Sequence, residues 1–485
     1  MKICVLGLDC AAPDIIFSDE RLVNIRRLMD AGTYGRLESV IPPITVPAWM
    51  CMTTSQDPGS LGVYGFRNRT DHSYAGLGIA NSASIKTMAI WDHIAREGKK
   101  SIIQGVPPCY PPRKVNGISI GCFLTPDTAK DVFTHPPEIG AKVNEIAGGE
   151  YPVDVKGFRT DNKDWLRDEI FAMNRKQWDV IRWLLKEHEW DYFHFVDIGL
   201  DRAHHGFWNY FDKQHVQYTA GNQYENVIPE YYQLLDAQIG SVLDMLDHDT
   251  LVLLVSDHGA QRLDGGFCVN EWLMNEGLLV LDERPKQVTP FGKLKVNWAR
   301  TKVWSEGGYY ARVFFNVQGR EPQGVIPQAE YAVFLDEMKK KFEALKDNKG
   351  QPLNSLVFKP REIYKNVRNV APDLIVHFAG LYWRSIGGVG YGHVHVQEND
   401  TGPDACNHAQ YGMFLLAAPT LPLRGEYEGA KLLDIAPTLL DLAGYDIPET
   451  MQGRSLVAGM EKKPPADSAV GDKIIHDRLE GLGYI

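Results

Sequence analysis

The chain has 485 residues, 44% of them apolar, with 51 basic and 62 acidic residues and a formal net charge of −11. Such a length carries one large core, or a core with a cap. The acidic balance excludes non-specific binding to a nucleic acid polymer and leaves room for a small anionic substrate held by a metal.

In chain order, Ile3 to Leu8 reads as a strand that delivers Asp9 at its end. Taken alone, Asp9 fits an N-cap or turn aspartate better than a ligand. Arg21 to Ala31 reads as a helix stopped at Gly32. Pro42-Pro43-Ile44-Thr45-Val46-Pro47-Ala48-Trp49 then puts Thr45 at a helix start, where backbone amides point outward and the dipole favours an anion. Thr45 fits a plain N-cap as well; as a nucleophile its hydroxyl needs help, which a metal supplies by stabilising the alkoxide.

Ile90 to Glu97 is helical and Lys100 to Gly105 is a strand, after which Pro107 to about Gly157, rich in Pro and Gly, reads as an insertion. Gly117-Ile118-Ser119-Ile120-Gly121 matches the nucleophile elbow of serine hydrolases, but no helix start follows, and Ile118 and Ile120 alternate as in a strand. A long helical pattern from about Lys163 to Glu189 leads into the strand Tyr192 to Val196. Directly behind it comes Asp197-Ile198-Gly199-Leu200-Asp201-Arg202-Ala203-His204-His205. Asp201 and His205, four apart, share a face if this segment is helical, while pairs formed by His204 with Asp197 or with Asp201 compete.

Tyr231 to Asp247 is helical, and Leu251 to Val255 is a buried strand that runs straight into Ser256-Asp257-His258-Gly259. An acid and an imidazole at the carboxyl end of a strand are a pair that a divalent metal uses. From Gln261 to about Val370 the sequence is irregular and aromatic, and reads as a second insertion forming a cap or substrate pocket. Leu374 to Val376 and Phe414 to Leu416 are strands, and Leu432 to Ala443 is a helix ended by Gly444. A short polar tail lies near Lys462 to Ala469. His393, His395 and His408 are candidates for a further imidazole.

Strand–helix alternation of this kind predicts an α/β protein, a largely parallel central sheet with helices on both faces. Seven scattered cysteines, odd in number and without a CxxC pair, exclude a disulfide framework and a structural zinc knuckle. No stretch approaches the length of a membrane span. The reading is a single catalytic domain over residues 1–485, cytoplasmic, with no membrane partner and an undetermined oligomeric state. Three carboxylates, three imidazoles and a hydroxyl, most of them at predicted strand ends, suit two divalent ions.

These segments in this order resemble the alkaline phosphatase superfamily, and within it the type I phosphodiesterase/nucleotide pyrophosphatase-like phosphohydrolases. The resemblance extends to Asp57-Pro58-Gly59-Ser60-Leu61-Gly62, Asn270-Glu271-Trp272-Leu273 and the terminal Leu482-Gly483-Tyr484. It implies one metal held by Asp9, Thr45, Asp257 and His258 and a second held by Asp201, His205 and His408. His408 is chosen over His393 and His395 for its short distance to Gly412-Met413-Phe414-Leu415, although the glycine that follows this histidine in many relatives is replaced by Ala409. Zinc is the metal implied, with manganese in second place. The implied chemistry is in-line attack by Thr45 on a small phosphorylated substrate, diesters before monoesters, with Arg67, Asn68 and Arg69 as substrate-phosphate contacts. A sulfatase is disfavoured because Thr45 cannot become the required aldehyde. A phosphomonoesterase or phosphomutase of the same superfamily competes with the diesterase, and so, outside enzymes, does a non-catalytic metal-binding protein.

Overall fold

Ile3–Leu8, Ser101–Gln104, Gly117–Ile120, Tyr192–Asp197, Leu251–Val255 and Tyr411–Ala417 are strands of one ten-stranded sheet. The computed structural model describes residues 1–397 and 400–461; the Lys462 to Ala469 tail and the Leu482-Gly483-Tyr484 terminus lie outside the described residues. Across the sheet the order is Gly425–Glu426, Thr33–Glu38, Tyr411–Ala417, Leu251–Val255, Ile3–Leu8, Tyr192–Asp197, Ser101–Gln104, Gly117–Ile120 and Thr134–His135, with Ala430–Lys431 also paired to Thr33–Glu38. The five strands from Leu251–Val255 to Gly117–Ile120 are mutually parallel. Tyr411–Ala417 runs antiparallel to both of its neighbours. The chain is thus the α/β protein with a largely parallel sheet that the sequence predicts.

The near-continuous apolar runs are explained by burial of both sheet faces. Cys4, Leu6 and Leu8 pack on one side with the helices Val23–Ala31, Lys163–Glu187, Gly199–Phe211 and Val227–Leu243. Ile3 and Val5 point to the other side, against Thr45–Thr54, Ile90–Ala95 and Ile435–Ala443. The same alternation repeats in Leu251–Val255, where Val252 and Leu254 join the first core and Leu251, Leu253 and Val255 the second.

The chain leaves the central sheet after Val255 and returns at Tyr411. Between them it builds an antiparallel sheet from Val303–Glu306, Ala311–Phe315, Leu356–Phe358 and Leu374–His377. The helix Tyr331–Glu343 covers this sheet through Met338 and Phe342, which share its separate apolar core. A two-stranded ribbon, Gly259–Arg262 antiparallel to Cys406–Ala409, closes the excursion at its base.

The stretch from Pro107 to Gly157 differs from its reading as an insertion, because Gly117–Ile120 and Thr134–His135 are strands of the central sheet. These strands are four and two residues long. Prolines on either side hide so short a period in the sequence. The helix read as Tyr231 to Asp247 is Val227–Leu243; Pro229 sits in its first turn, where a missing N–H leaves no hydrogen bond unmade.

Candidate active site

Ile3–Leu8 lies between the parallel strands Leu251–Val255 and Tyr192–Asp197, with Gly7 opposite both Val255 and Val196. Their carboxyl ends therefore sit side by side on one edge of the sheet. From the first strand the chain presents Asp9, and from the second Asp257 and His258. From the third it enters the helix Gly199–Phe211, on which Asp201 and His205 lie one turn apart. Thr33–Glu38 ends at the same edge and leads to Thr45, the first residue of the helix Thr45–Thr54.

The antiparallel Tyr411–Ala417 begins at this edge. The ribbon register sets His408 opposite Ala260, so that the His258 and His408 rings stack with centroids 3.7 Å apart. Gly259 is required here, since a Cβ on it would lie 2.1 Å from the Tyr411 carbonyl oxygen.

Seven buried side chains converge. Thr45 Oγ1 is 3.2 Å from His258 Nε2. That nitrogen is 3.1 Å from Asp257 Oδ2 and 3.7 Å from Asp9 Oδ1. His205 Nε2 is 3.3 Å and His408 Nε2 3.7 Å from Asp201 Oδ1. Ligand atoms of Asp201, His205 and His408 form one group within 4.8 Å, and those of Asp9, Asp201 and His258 form another. Asp201 belongs to both.

Each imidazole is oriented from behind. His205 Nδ1 faces Asp404 Oδ1 at 2.7 Å, His258 Nδ1 the Gly259 carbonyl at 3.1 Å, and His408 Nδ1 the Pro43 carbonyl at 2.9 Å. Carbonyl and carboxylate oxygens accept, so the proton belongs on Nδ1 and each Nε2 lone pair is turned into the cluster.

The carboxylates tell the same story. Asp9 Oδ1, Asp201 Oδ1 and Asp257 Oδ2 are buried with no hydrogen-bond donor among the described residues. An orphaned buried acceptor costs about 1–3 kcal/mol, and more when charged. A pocket of inward acceptors is what a divalent cation satisfies, and the mixed nitrogen and oxygen set accommodates zinc or manganese.

Charge is distributed unevenly. Burial and the Asp201 charge push the Asp9 carboxyl well above the usual range, against the lowering effect of the Trp49 N–H, which donates to Asp9 Oδ2 at 2.8 Å. Burial and Asp9 raise Asp257 likewise. Asp201 is also buried, yet His205 and Arg202 hold it well below the carboxylate range. Arg202 donates to Asp201 at 2.6 Å and grips Asp154 with two further bonds at 2.7 and 2.9 Å. Burial lowers His258 to about 4. Burial opposes a charge on His205 too, but the acidic neighbours Asp404 and Asp201 together offset it and lift His205 well above its usual value.

The remaining sequence candidates lie elsewhere. Asp197 is engaged by Asn174, Trp178 and Tyr231, and the His204 ring packs on Trp208 and Tyr232, so neither enters the cluster. His393 is exposed, and His395 Nε2 faces the Lys346 carbonyl. Asn68 accepts from the Tyr64 amide and donates to the Gly65 carbonyl, closing a local turn. Arg69 is buried against Glu321 and lies over the Trp304 and Phe314 rings. Arg67 and Arg69 line a cavity of about 500 Å³ that none of the seven cluster residues borders. Tertiary partners thus occupy Asn68 and Arg69, whereas Arg67 is exposed.

Trp49, Arg202, Asp154 and Asp404 support the cluster without having been singled out as functional. Arg202 directly follows Asp201, and Asp404 stands four residues before His408, but neither spacing announces a partner.

A parallel-sheet α/β core with this constellation on the carboxyl edge is the architecture of the alkaline phosphatase superfamily. The sequence matches the type I phosphodiesterase / nucleotide pyrophosphatase family over residues 3–404, and the chain belongs to that family. It is accordingly a hydrolase acting on phosphoric ester bonds. Among curated proteins none matches the sequence. Among solved structures, murine ectonucleotide pyrophosphatase / phosphodiesterase 5 is similar at 13% identity and a TM-score of 0.53, over 92% of this chain and 96% of that one. Phosphonoacetate hydrolase from Sinorhizobium meliloti 1021, in complex with phosphonoformate, is similar at 14% identity and a TM-score of 0.55, over 90% and 94%. At these identities the likeness is one of fold. Among the described residues no helix is long and apolar enough to cross a membrane.

Proposed function

We propose that this protein is a phosphodiesterase that uses Thr45 as nucleophile beside two divalent ions, zinc or manganese. The observation that carries the reading is the gathering of three unpartnered carboxylate oxygens and three oriented imidazole nitrogens beside Thr45, in two groups that share Asp201, with Asp257 against His258. Asp9, Thr45, Asp257 and His258 would hold one ion, and Asp201, His205 and His408 the other. The ions would supply charge stabilisation for the attacking and leaving oxygens.

The chain's own residues do the rest. The helix start positions Thr45 with its hydroxyl 3.2 Å from His258 Nε2, and the Thr45 and Val46 amides of the first turn would be available to phosphoryl oxygens. Attack of Thr45 Oγ1 on phosphorus forms a phospho-threonine and expels the first alcohol. Water then cleaves the new P–O bond and restores the hydroxyl. Burial of the site keeps other water from it. In support, a threonine-to-alanine form of the murine relative is described as inactive, in complex with AMP.

We further propose that the excursion from about 261 to 370 caps this centre, since Tyr309 from it stacks on His408 with ring centroids 4.2 Å apart. A cytoplasmic location is supported by seven buried, unpaired cysteines. The test is Thr45→Ala in metal-loaded protein, assayed on bis(p-nitrophenyl) phosphate with p-nitrophenyl phosphate as the monoester control. A loss of about 10³-fold or more is expected with metal content above zero. Unchanged diester hydrolysis, or purified protein that binds no divalent ion, would sink the proposal. Preference for the monoester would favour the phosphomonoesterase reading.

A further inference from the structure

Tyr309 stands in the turn between Val303–Glu306 and Ala311–Phe315, at the end of the cap nearest the cluster. Its ring lies over two imidazoles, 4.2 Å from His408 and 5.3 Å from His205 between centroids, tilted by 28° and 29°. Three groups from other parts of the fold fix it there. Arg159 Nη2 donates to the phenol oxygen at 2.6 Å, the Arg384 guanidinium sits 5.1 Å over the ring, and Asn407 Nδ2 donates to the Tyr309 carbonyl at 3.2 Å. Arg159 also donates to Asp404 at 3.0 Å, the carboxylate that orients His205. One arginine thus couples the cap turn to an imidazole of the cluster.

Among the described residues the hydroxyl proton has one long contact, to a nitrogen of the cluster itself. Arg159 occupies the oxygen as a donor, so the phenol's own hydrogen still needs an acceptor. The neighbour within reach among the described residues is His205 Nε2, at 3.4 Å. With a cation on Nε2 that lone pair is taken, and a donor is left aimed at the cluster. An incoming phosphoryl group brings the missing acceptor.

We propose that Tyr309 is a substrate contact whose hydroxyl donates to a non-bridging oxygen of the phosphoryl group, with Arg159 as the residue that positions it. The proposal rests on the phosphohydrolase reading of the same site. Its ligand class is any tetrahedral phosphoryl oxyanion, substrate or product. It also accounts for Tyr309 being on the excursion, which then supplies a substrate contact that the sheet edge lacks.

Tyr309→Phe keeps the ring over His408 and removes only the oxygen. Metal affinity of the variant, measured by calorimetry, should match wild type. Affinity of the metal-loaded protein for inorganic phosphate, also by calorimetry, should fall about 10- to 100-fold, as for loss of a hydrogen bond to a charged group. Arg159→Met should reproduce that loss, and Arg159→Lys should recover part of it. Unchanged phosphate affinity in Tyr309→Phe overturns the proposal, and so does weakened metal binding, which would make the phenol a prop for the ligands. If wild type binds phosphate and Tyr309→Phe does not, yet no diester is hydrolysed, the reaction assigned above fails while the contact stands.

Discussion

The two halves of the cluster are built on opposite electrostatic plans. Around Asp201, His205 and His408 the protein supplies its own compensation: Arg202 on Asp201, Asp404 on His205, and Arg159 and Arg384 on Asp404. There Asp201 is held well below the carboxylate range, and the acidic neighbours of His205 raise its imidazole. Around Asp9 and Asp257 the direct donors are uncharged, the Trp49 N–H and the Cys10 amide, and both carboxyls are pushed toward the protonated form. A buried carboxylate without a partner neutralises itself unless an outside charge arrives. The half that carries the nucleophile therefore depends on a cation for its charge, whereas the other half is charged from within.

The largest expected effect lies in the half with the nucleophile. Thr45→Ala should abolish turnover by about 10³-fold or more while the Asp201–His205–His408 half keeps its metal. A variant that loses hydrolysis only in proportion to lost metal would erase the distinction between the halves. Next comes Asp404→Asn, which keeps an acceptor for His205 Nδ1 but removes the charge. Metal affinity should fall about 10- to 100-fold, as for other supports of ligating histidines, with folding checked by circular dichroism. Unaltered affinity would mean that the second half does not rely on its internal compensation.

A smaller effect, and a more direct comparison, is protonation. Because Asp9 and Asp257 are raised, the metal-free protein holds protons there at pH values where ordinary carboxylates have lost them. A cation must expel these protons, so affinity should fall as pH falls, by about tenfold per unit for each proton displaced. Infrared difference spectra on adding metal should show loss of a protonated-carboxyl carbonyl band, and that loss should shrink in Asp257→Asn. A spectrum without such a band would place both halves on the same plan.

The asymmetry also explains what was legible in the sequence. Asp9, Asp257 and His258 directly follow strands whose apolar runs are unbroken, so the sheet edge they share could be read from pattern alone. Asp201 and His205 were legible as a helical pair, but Asp197 and His204 competed until Tyr231 and Trp208 were seen to claim them. Asp404, Arg159 and Tyr309 belong to the internally compensated half. They meet only because the ribbon Gly259–Arg262 and Cys406–Ala409 folds a long excursion back over the sheet. Pairing across such distances leaves no local period. The loop Arg67-Asn68-Arg69 shows the same limit: its basic residues point to phosphate, but nothing local announces that Glu321 and the neighbouring backbone engage Arg69 and Asn68.

The smallest effect tests the side chain that donates to the Asp9 carboxylate. Trp49 Nε1–H is the bond that lowers the Asp9 carboxyl, opposing burial and Asp201. Trp49→Phe leaves an aromatic ring against Gly7 but no donor, so Asp9 should rise further. The sign follows directly: a higher carboxyl pKa means a proton that is harder to expel, and the pH at which metal binding is half-complete should move upward by about one unit. At a pH well above that midpoint the variant should bind metal like wild type, which separates a protonation effect from a packing defect. An affinity deficit that persisted at every pH would instead assign Trp49 to shaping the pocket, and the contrast between a charged half and a cation-dependent half would then rest on Asp257 alone.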